Sequence, residues 1–148
     1  MFRHILVPTD GSELSLAAAR KAMAFATEVK AKLTFLHALP SPPQTFFGGE
    51  GTLVNQMPPE EFLAQAEAQA NVLLDELVSR AAGAGITSDK VVASNGAPYE
   101  AIIEVATARG CDLIMMASHG YRGFKGLILG SETQKVLTHS KIPVLVYR

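Results

Sequence analysis

The chain is short of cysteine, tryptophan, excess charge of either sign and long apolar runs, and each shortage removes a class of protein. Cys111 is its single cysteine, so neither a disulfide framework nor a cysteine-rich zinc site can be built. That residue opens a predicted buried strand in Arg109-Gly110-Cys111-Asp112-Leu113, where a free thiol reads as a small buried apolar side chain. A formal net charge of -1 offers no basic face for nucleic acid. No apolar stretch approaches the roughly 20 residues that span a bilayer. The start, Met1-Phe2-Arg3-His4-Ile5-Leu6-Val7, has no signal-peptide pattern. A cytoplasmic protein without membrane or nucleic-acid partners is expected, and no two histidines have metal-ligand spacing.

With 48% apolar and 18% charged residues, the chain has a globular rather than a disordered composition. Its length suits one domain, residues 1–148. Arg3 to Val7 is a short β-rich run and predicts a buried strand. Asp10-Gly11-Ser12 breaks it, and Ser12 or Asp10 can cap the helix that follows. Leu14, Ala18, Ala22, Phe25 and Val29 recur at helical spacing through Lys30. Lys32 to Ala38 predicts a second strand. From about 39 to 57 proline and glycine crowd the sequence, which predicts a long, mobile or functional loop. Phe46 and Phe47 in it either pack over a ligand or tuck onto the domain's own surface. Pro58 and Pro59, then Glu60 and Glu61, open a helix that runs to about Ala82. A strand near Lys90 to Ala93, a helix from Tyr99 to Arg109 and an apolar strand from Leu113 to Ala117 follow. A last helix spans Ser131 to Ser140, and the final strand is Val144 to Tyr147.

Strict β-α alternation predicts one doubly wound, five-stranded parallel sheet with helices on both faces. Ligands in such sheets bind beyond the carboxyl ends of the strands, where the order reverses. The residues there include Pro8, Thr9, Asp10, Ala38, Met116 and Ala117. The informative stretch is Ala117 to Ser131, which leaves a buried strand, crosses a glycine-rich loop and enters a helix. Gly120 and Gly130 would let a ligand approach the backbone. Gly130-Ser131 opens the helix, where free N–H groups and the dipole attract an anion. Ser131 and Thr133 add hydroxyl groups, and Arg122 and Lys125 add positive charge; the set favours a di- or triphosphate. The competing explanation is a self-capped helix, because Ser131 and Gln134 have the spacing of a capping box. The loop is not a Walker A loop, since no Gly-Lys-Ser/Thr ends it. His119 lacks a nucleophile obviously paired with it and reads as a loop-positioning or ligand-stacking residue rather than a catalytic base. His37 reads as a hydrogen-bonded structural residue.

The spacing after Gly120, nine residues and then Gly130-Ser131, resembles the nucleotide loop of universal stress proteins; the family's preceding glycine is Ala117 here. Ile5 to Ser12, Leu36-His37-Ala38, Gly96-Ala97-Pro98 and Lys141 to Val146 resemble other segments of that family, so the likeness covers essentially the whole chain. It implies an adenine-nucleotide alpha-hydrolase-like fold, with the sheet in the order 3-2-1-4-5, and a dimeric, ATP-binding, stress-response regulatory or sensing module with an unidentified protein partner. By the same resemblance Pro8, Thr9 and Asp10 would border adenosine, with Asp10 on ribose hydroxyls or a Mg²⁺ brought with ATP, ADP or AMP. Ala38 would offer main-chain groups to adenine. Met116 and Ala117 would line the ribose side, with the Ala117 methyl close to ribose or phosphate. Gly120, Gly130, Ser131 and Thr133 would cradle phosphates, and Glu132 would contribute its N–H. The Val144 to Tyr147 strands of two copies would pair into a homodimer. The alternatives are a nucleotide-independent dimeric interaction protein and a slow ATPase, with no conventional enzyme expected.

Overall fold

Side-chain alternation explains both the sheet and its two helical layers. The computed structural model describes residues 1–42, 57–94, 96–120 and 129–148. Along them run β1 (His4–Pro8), α1 (Glu13–Val29), β2 (Lys32–Ala38), α2 (Pro59–Gly83), β3 (Ser88–Ala93), α3 (Pro98–Ala108), β4 (Leu113–Ala117), α4 (Ser131–His139) and β5 (Val144–Tyr147). All strand pairs are parallel, in the order β3-β2-β1-β4-β5. The expected topology is therefore the one observed. Most of the Pro/Gly-rich segment expected at 39–57, with Phe46 and Phe47, lies outside the described residues, as do Arg122 and Lys125.

Successive strand residues point to opposite faces. Ile5, Val7, Leu33, Phe35, Leu113 and Met115 pack with α1 and α2 on one side. Leu6, Leu36, Ile114 and Met116 pack with α3 and α4 on the other. The strands are apolar on both faces because both faces are covered. Phe35 is fully buried, and truncating such a residue to alanine costs about 3–5 kcal/mol.

β3 begins two residues earlier than the apolar run suggests, because its polar start is paired. Asp89 stands opposite Thr34 and accepts that residue's hydroxyl proton at 2.5 Å. Thr34 has no second proton, so the 2.7 Å contact to His4 Nε2 requires Nε2–H to donate. Arg109 closes this polar layer on Asp89. Nearby, the Asp112 carboxylate accepts the main-chain N–H groups of Arg3 at 2.8 Å and His4 at 3.0 Å, tying the head of β4 to that of β1.

The first turn of α1 is closed by its own sequence. Ser12 is the N-cap, and its Oγ accepts from Ser15 N–H at 3.3 Å. Asp10 acts one step earlier: its Oδ1 accepts from Ser12 N–H at 2.9 Å. Both residues proposed as caps are thus used, in series. The helix ends at Lys30, which adopts φ 59°, ψ 39°, a left-handed conformation that favours glycine.

Candidate functional site

The sheet changes direction between β1 and β4. The chain moves outward from β1 through β2 to β3, then crosses back to place β4 on the other side of β1. The segments leaving these two strands therefore diverge and leave a crevice. Asp10 follows β1, and Ser118-His119-Gly120 follows β4. They meet there: a Cβ placed on Gly120 would collide with Asp10 Oδ2 and lie 3.0 Å from its Cγ. A side chain at Gly120 would thus displace the Asp10 carboxylate, independently of any ligand.

The ends of the connection from β4 to α4 are pinned together. Gly130 N–H donates to the Ser118 carbonyl at 2.6 Å. A Cβ on Gly130 would sit 3.2 Å from His119 Cα and 3.3 Å from the Ser118 carbonyl oxygen, so a side chain would press on this neck. Thr133 is buried, and its hydroxyl donates to the Ala117 carbonyl at 3.0 Å. Its hydroxyl proton thus fixes α4 on the end of β4.

The self-capping alternative is not what forms at α4. Its N-cap is Gly130, with no side-chain capping bond. Gln134 instead reaches back to the Leu129 carbonyl at 3.3 Å. Ser131 is exposed and opens the helix. The first amides of α4 thus face the crevice end of β4 without an acceptor from a capping side chain. Unpaired amides at a helix start, with the dipole behind them, make a receptive place for an anion.

The remaining expected residues divide between the mouth and the interior. β1 ends at Pro8, opposite Leu36, so the Ala38 main chain extends past its neighbour toward the crevice. His37 Nδ1 lies 2.8 Å from the Thr9 carbonyl; a carbonyl only accepts, so Nδ1 carries the proton. Thr9 is turned inward and buried. Its Oγ1 accepts from Gly11 N–H and lies 2.8 Å from Ser15 Oγ. Ser15 spends its own proton on the Ser12 carbonyl, so Thr9 donates to Ser15 and its hydroxyl is fully engaged. Met116 is buried in the α3/α4 core. Alternation places the Ala117 methyl with Leu113 and Met115, toward α1 and away from α4. His119 Nδ1 is 3.2 Å from Ser118 Oγ.

An open cavity of about 590 Å³ runs from His119 and Gly120 along the α1 flank to Tyr147, with Ser12, Glu13 and Arg20 in its wall. Pro8, Ala38 and Ser131 do not line it, so it adjoins the mouth of α4 rather than filling it. Among the described residues no group of three or more His, Cys, Asp or Glu side chains could hold a metal, and no helix is long and apolar enough to cross a membrane.

Glu132 does more than was expected of it. Its carboxylate leaves the mouth and accepts from Tyr99 N–H, at the start of α3, at 2.8 Å. The available signal was negative: Ala97-Pro98 supplies no capping side chain to α3.

The profile of the universal stress protein family matches residues 1–148. Universal stress protein YxiE of Bacillus subtilis is 32% identical over 152 residues, covering 100% of both sequences. The solved structure of MJ0577, a universal stress protein of Methanocaldococcus jannaschii, has a TM-score of 0.80 at 28% identity, covering 99% of this chain and 95% of that one. A universal stress protein solved in complex with cAMP has a TM-score of 0.70 at 30% identity, covering 99% and 97%. The fold is thus the adenine-nucleotide alpha-hydrolase-like one of these neighbours. A family match that spans residues 1–148, with a relative 32% identical over the full length of both chains, leads to one conclusion: the chain belongs to the universal stress protein family.

Proposed function

We propose that this protein binds an adenine nucleotide, ATP foremost, as a dimeric stress-response module of the cytoplasm whose partner surface depends on the bound nucleotide. The observation that carries the reading is the start of α4: a helix N-terminus at the switch point of the sheet, opened by Gly130 and lacking a side-chain cap. Polyphosphate would lie on the amides of Ser131 and Glu132, with Ser131 Oγ as a further donor. Adenosine would extend across Pro8 and the main chain of Ala38, with Asp10 toward the ribose. The cAMP complex of a 30% identical relative supports the nucleotide class. Mg²⁺ is commonly held by one or two carboxylates together with substrate phosphates. Asp10 fits that pattern as a single carboxylate at the crevice, and the Mg²⁺ it would hold would balance charge on the phosphates.

Self-association would use β5, which forms one edge of the sheet. The bonds from Ile114 N–H to the Pro143 carbonyl and from Ser118 N–H to the Tyr147 carbonyl show which β5 groups face β4. By alternation, Val144 and Val146 turn their main-chain groups to the free edge, and the partly exposed Leu145 side chain adds apolar surface. An open edge of this kind invites pairing with another strand.

Titration calorimetry with Mg-ATP tests the site. Ser131→Glu places a negative charge in the first turn of α4, which suits the helix and opposes a phosphate. The parent should bind, and the variant should be at least as stable yet bind much more weakly. Equal affinities would remove the α4 mouth from the site, and a parent that binds no nucleotide would leave the nucleotide-independent dimer.

A further inference from the structure

Helix α3 starts at Ala97-Pro98, and its N-cap residue makes no side-chain capping bond. The Tyr99 amide is served from another helix, by Glu132 Oε2 at 2.8 Å. Three residues on one stripe of α4 converge on Tyr99. Glu132 takes its N–H. Lys135 Nζ stands 5.4 Å from the centre of its ring and donates to Glu132 Oε1 at 3.4 Å. The His139 ring lies 5.4 Å from it, tilted by 31°. Both carboxylate oxygens of Glu132 are therefore occupied on the side away from the mouth.

This arrangement resolves a conflict at the mouth. Glu132 is in the first turn of α4, and its main-chain N–H belongs to the group that would receive phosphate. A carboxylate left free beside those amides would compete for them and repel an anion. Held on the start of α3, the same charge complements a second helix dipole and leaves the α4 amides open. The backbone of Glu132 thus serves one helix start and its side chain the other, so a shift of that residue alters both.

We propose that Glu132 is a positioning residue that couples nucleotide binding at α4 to the capping of α3. The coupling rests on the nucleotide reading above. Phosphate on the α4 amides fixes the first turn of that helix, which holds Glu132 on Tyr99 and orders the start of α3. Thermodynamic reciprocity requires the converse, that an uncapped α3 weakens the nucleotide site.

The experiment combines calorimetry with residue-resolved amide exchange on the full chain, using Mg-ATP and comparing parent, Glu132→Ala and Glu132→Gln. Saturating Mg-ATP should slow exchange of the Tyr99 amide in the parent and in Glu132→Gln, which keeps an acceptor oxygen, but not in Glu132→Ala. Affinity should fall roughly five- to tenfold in Glu132→Ala, within the usual range of coupling between sites, and stay near the parent value in Glu132→Gln. A residue that only stabilises the fold would lower the melting temperature of Glu132→Ala without changing the affinity of its folded form or the response of Tyr99 to ligand. Parent protein that binds Mg-ATP with no change at Tyr99, or Glu132→Ala that binds like the parent, overturns the coupling alone. Tighter binding by both variants would make Glu132 a repulsive charge and also overturn it. Parent protein that binds no nucleotide removes the underlying site reading, and the coupling with it.

Discussion

Replacing Gly120 by alanine should destabilise the protein through Asp10, with no ligand present. The new Cβ would occupy the position of Asp10 Oδ2 and lie 3.0 Å from Cγ, so the carboxylate must swing away. It then loses the 2.9 Å bond from Ser12 N–H to Oδ1, which precedes the N-cap of α1. A hydrogen bond to a charged group contributes about 1.5–3 kcal/mol; Asp10 is exposed, so about 1–2 kcal/mol is the appropriate scale. A domain of this size loses about 2–4 °C of melting temperature per kcal/mol, giving a fall of about 2–8 °C. Thermal unfolding followed by circular dichroism would measure it. A double-mutant cycle identifies the cause: Gly120→Ala should cost little once Asp10→Ala has removed the carboxylate, leaving a coupling of about 1–2 kcal/mol. Additive losses in the double variant, or an unchanged melting temperature for Gly120→Ala, would refute the assignment of Gly120 to this contact.

Acid should weaken the fold partly through His4, whose pKa is lowered from its ordinary 6.5 by burial and then by Lys32. The unfolded chain takes up this proton first, so the contribution is present above about pH 6.5 and is lost as pH falls through the lower folded value. In urea titrations across pH, His4→Asn should flatten that part of the profile. Alkali acts through Cys111, where burial raises the thiol to about 11. Folded protein should resist iodoacetamide at pH 8 while urea-unfolded protein reacts, and the thiol's contribution to stability, present below the unfolded pKa, is lost as pH rises through about 11. Lys30→Gly should stabilise the protein by about 1 kcal/mol in chemical denaturation, because the residue closing α1 is left-handed. Val146→Pro removes a donor from the free edge of β5 while sparing the bonds to β4, so light scattering should show monomer that keeps the parent's circular dichroism.

Pattern carried the fold, because burial on both faces leaves a periodic trace. Leu113 to Ala117 is apolar throughout and is buried throughout; β-α alternation then leaves few ways to order the sheet. The site was legible where it depends on backbone: Gly120 and Gly130 mark the two ends of the connection, and both are places where a Cβ would press on a neighbour. It was much less legible where it depends on side-chain allegiance. Thr133 and Ser131 look equally suited to donate to phosphate, yet one is buried on the Ala117 carbonyl and the other is exposed. Local spacing cannot separate them, because β4 supplies the acceptor from 16 residues away. The capping box failed for a local reason instead: the N-cap is Gly130 rather than Ser131, and Gln134 reaches the carbonyl of Leu129. Glu132 was hidden most deeply, since its partner is an amide on another helix, 33 residues distant. What could have been read was the deficit at Ala97-Pro98. A helix start without a capping residue must find an acceptor in water or in the fold, and a carboxylate across the α3/α4 contact was available to provide one.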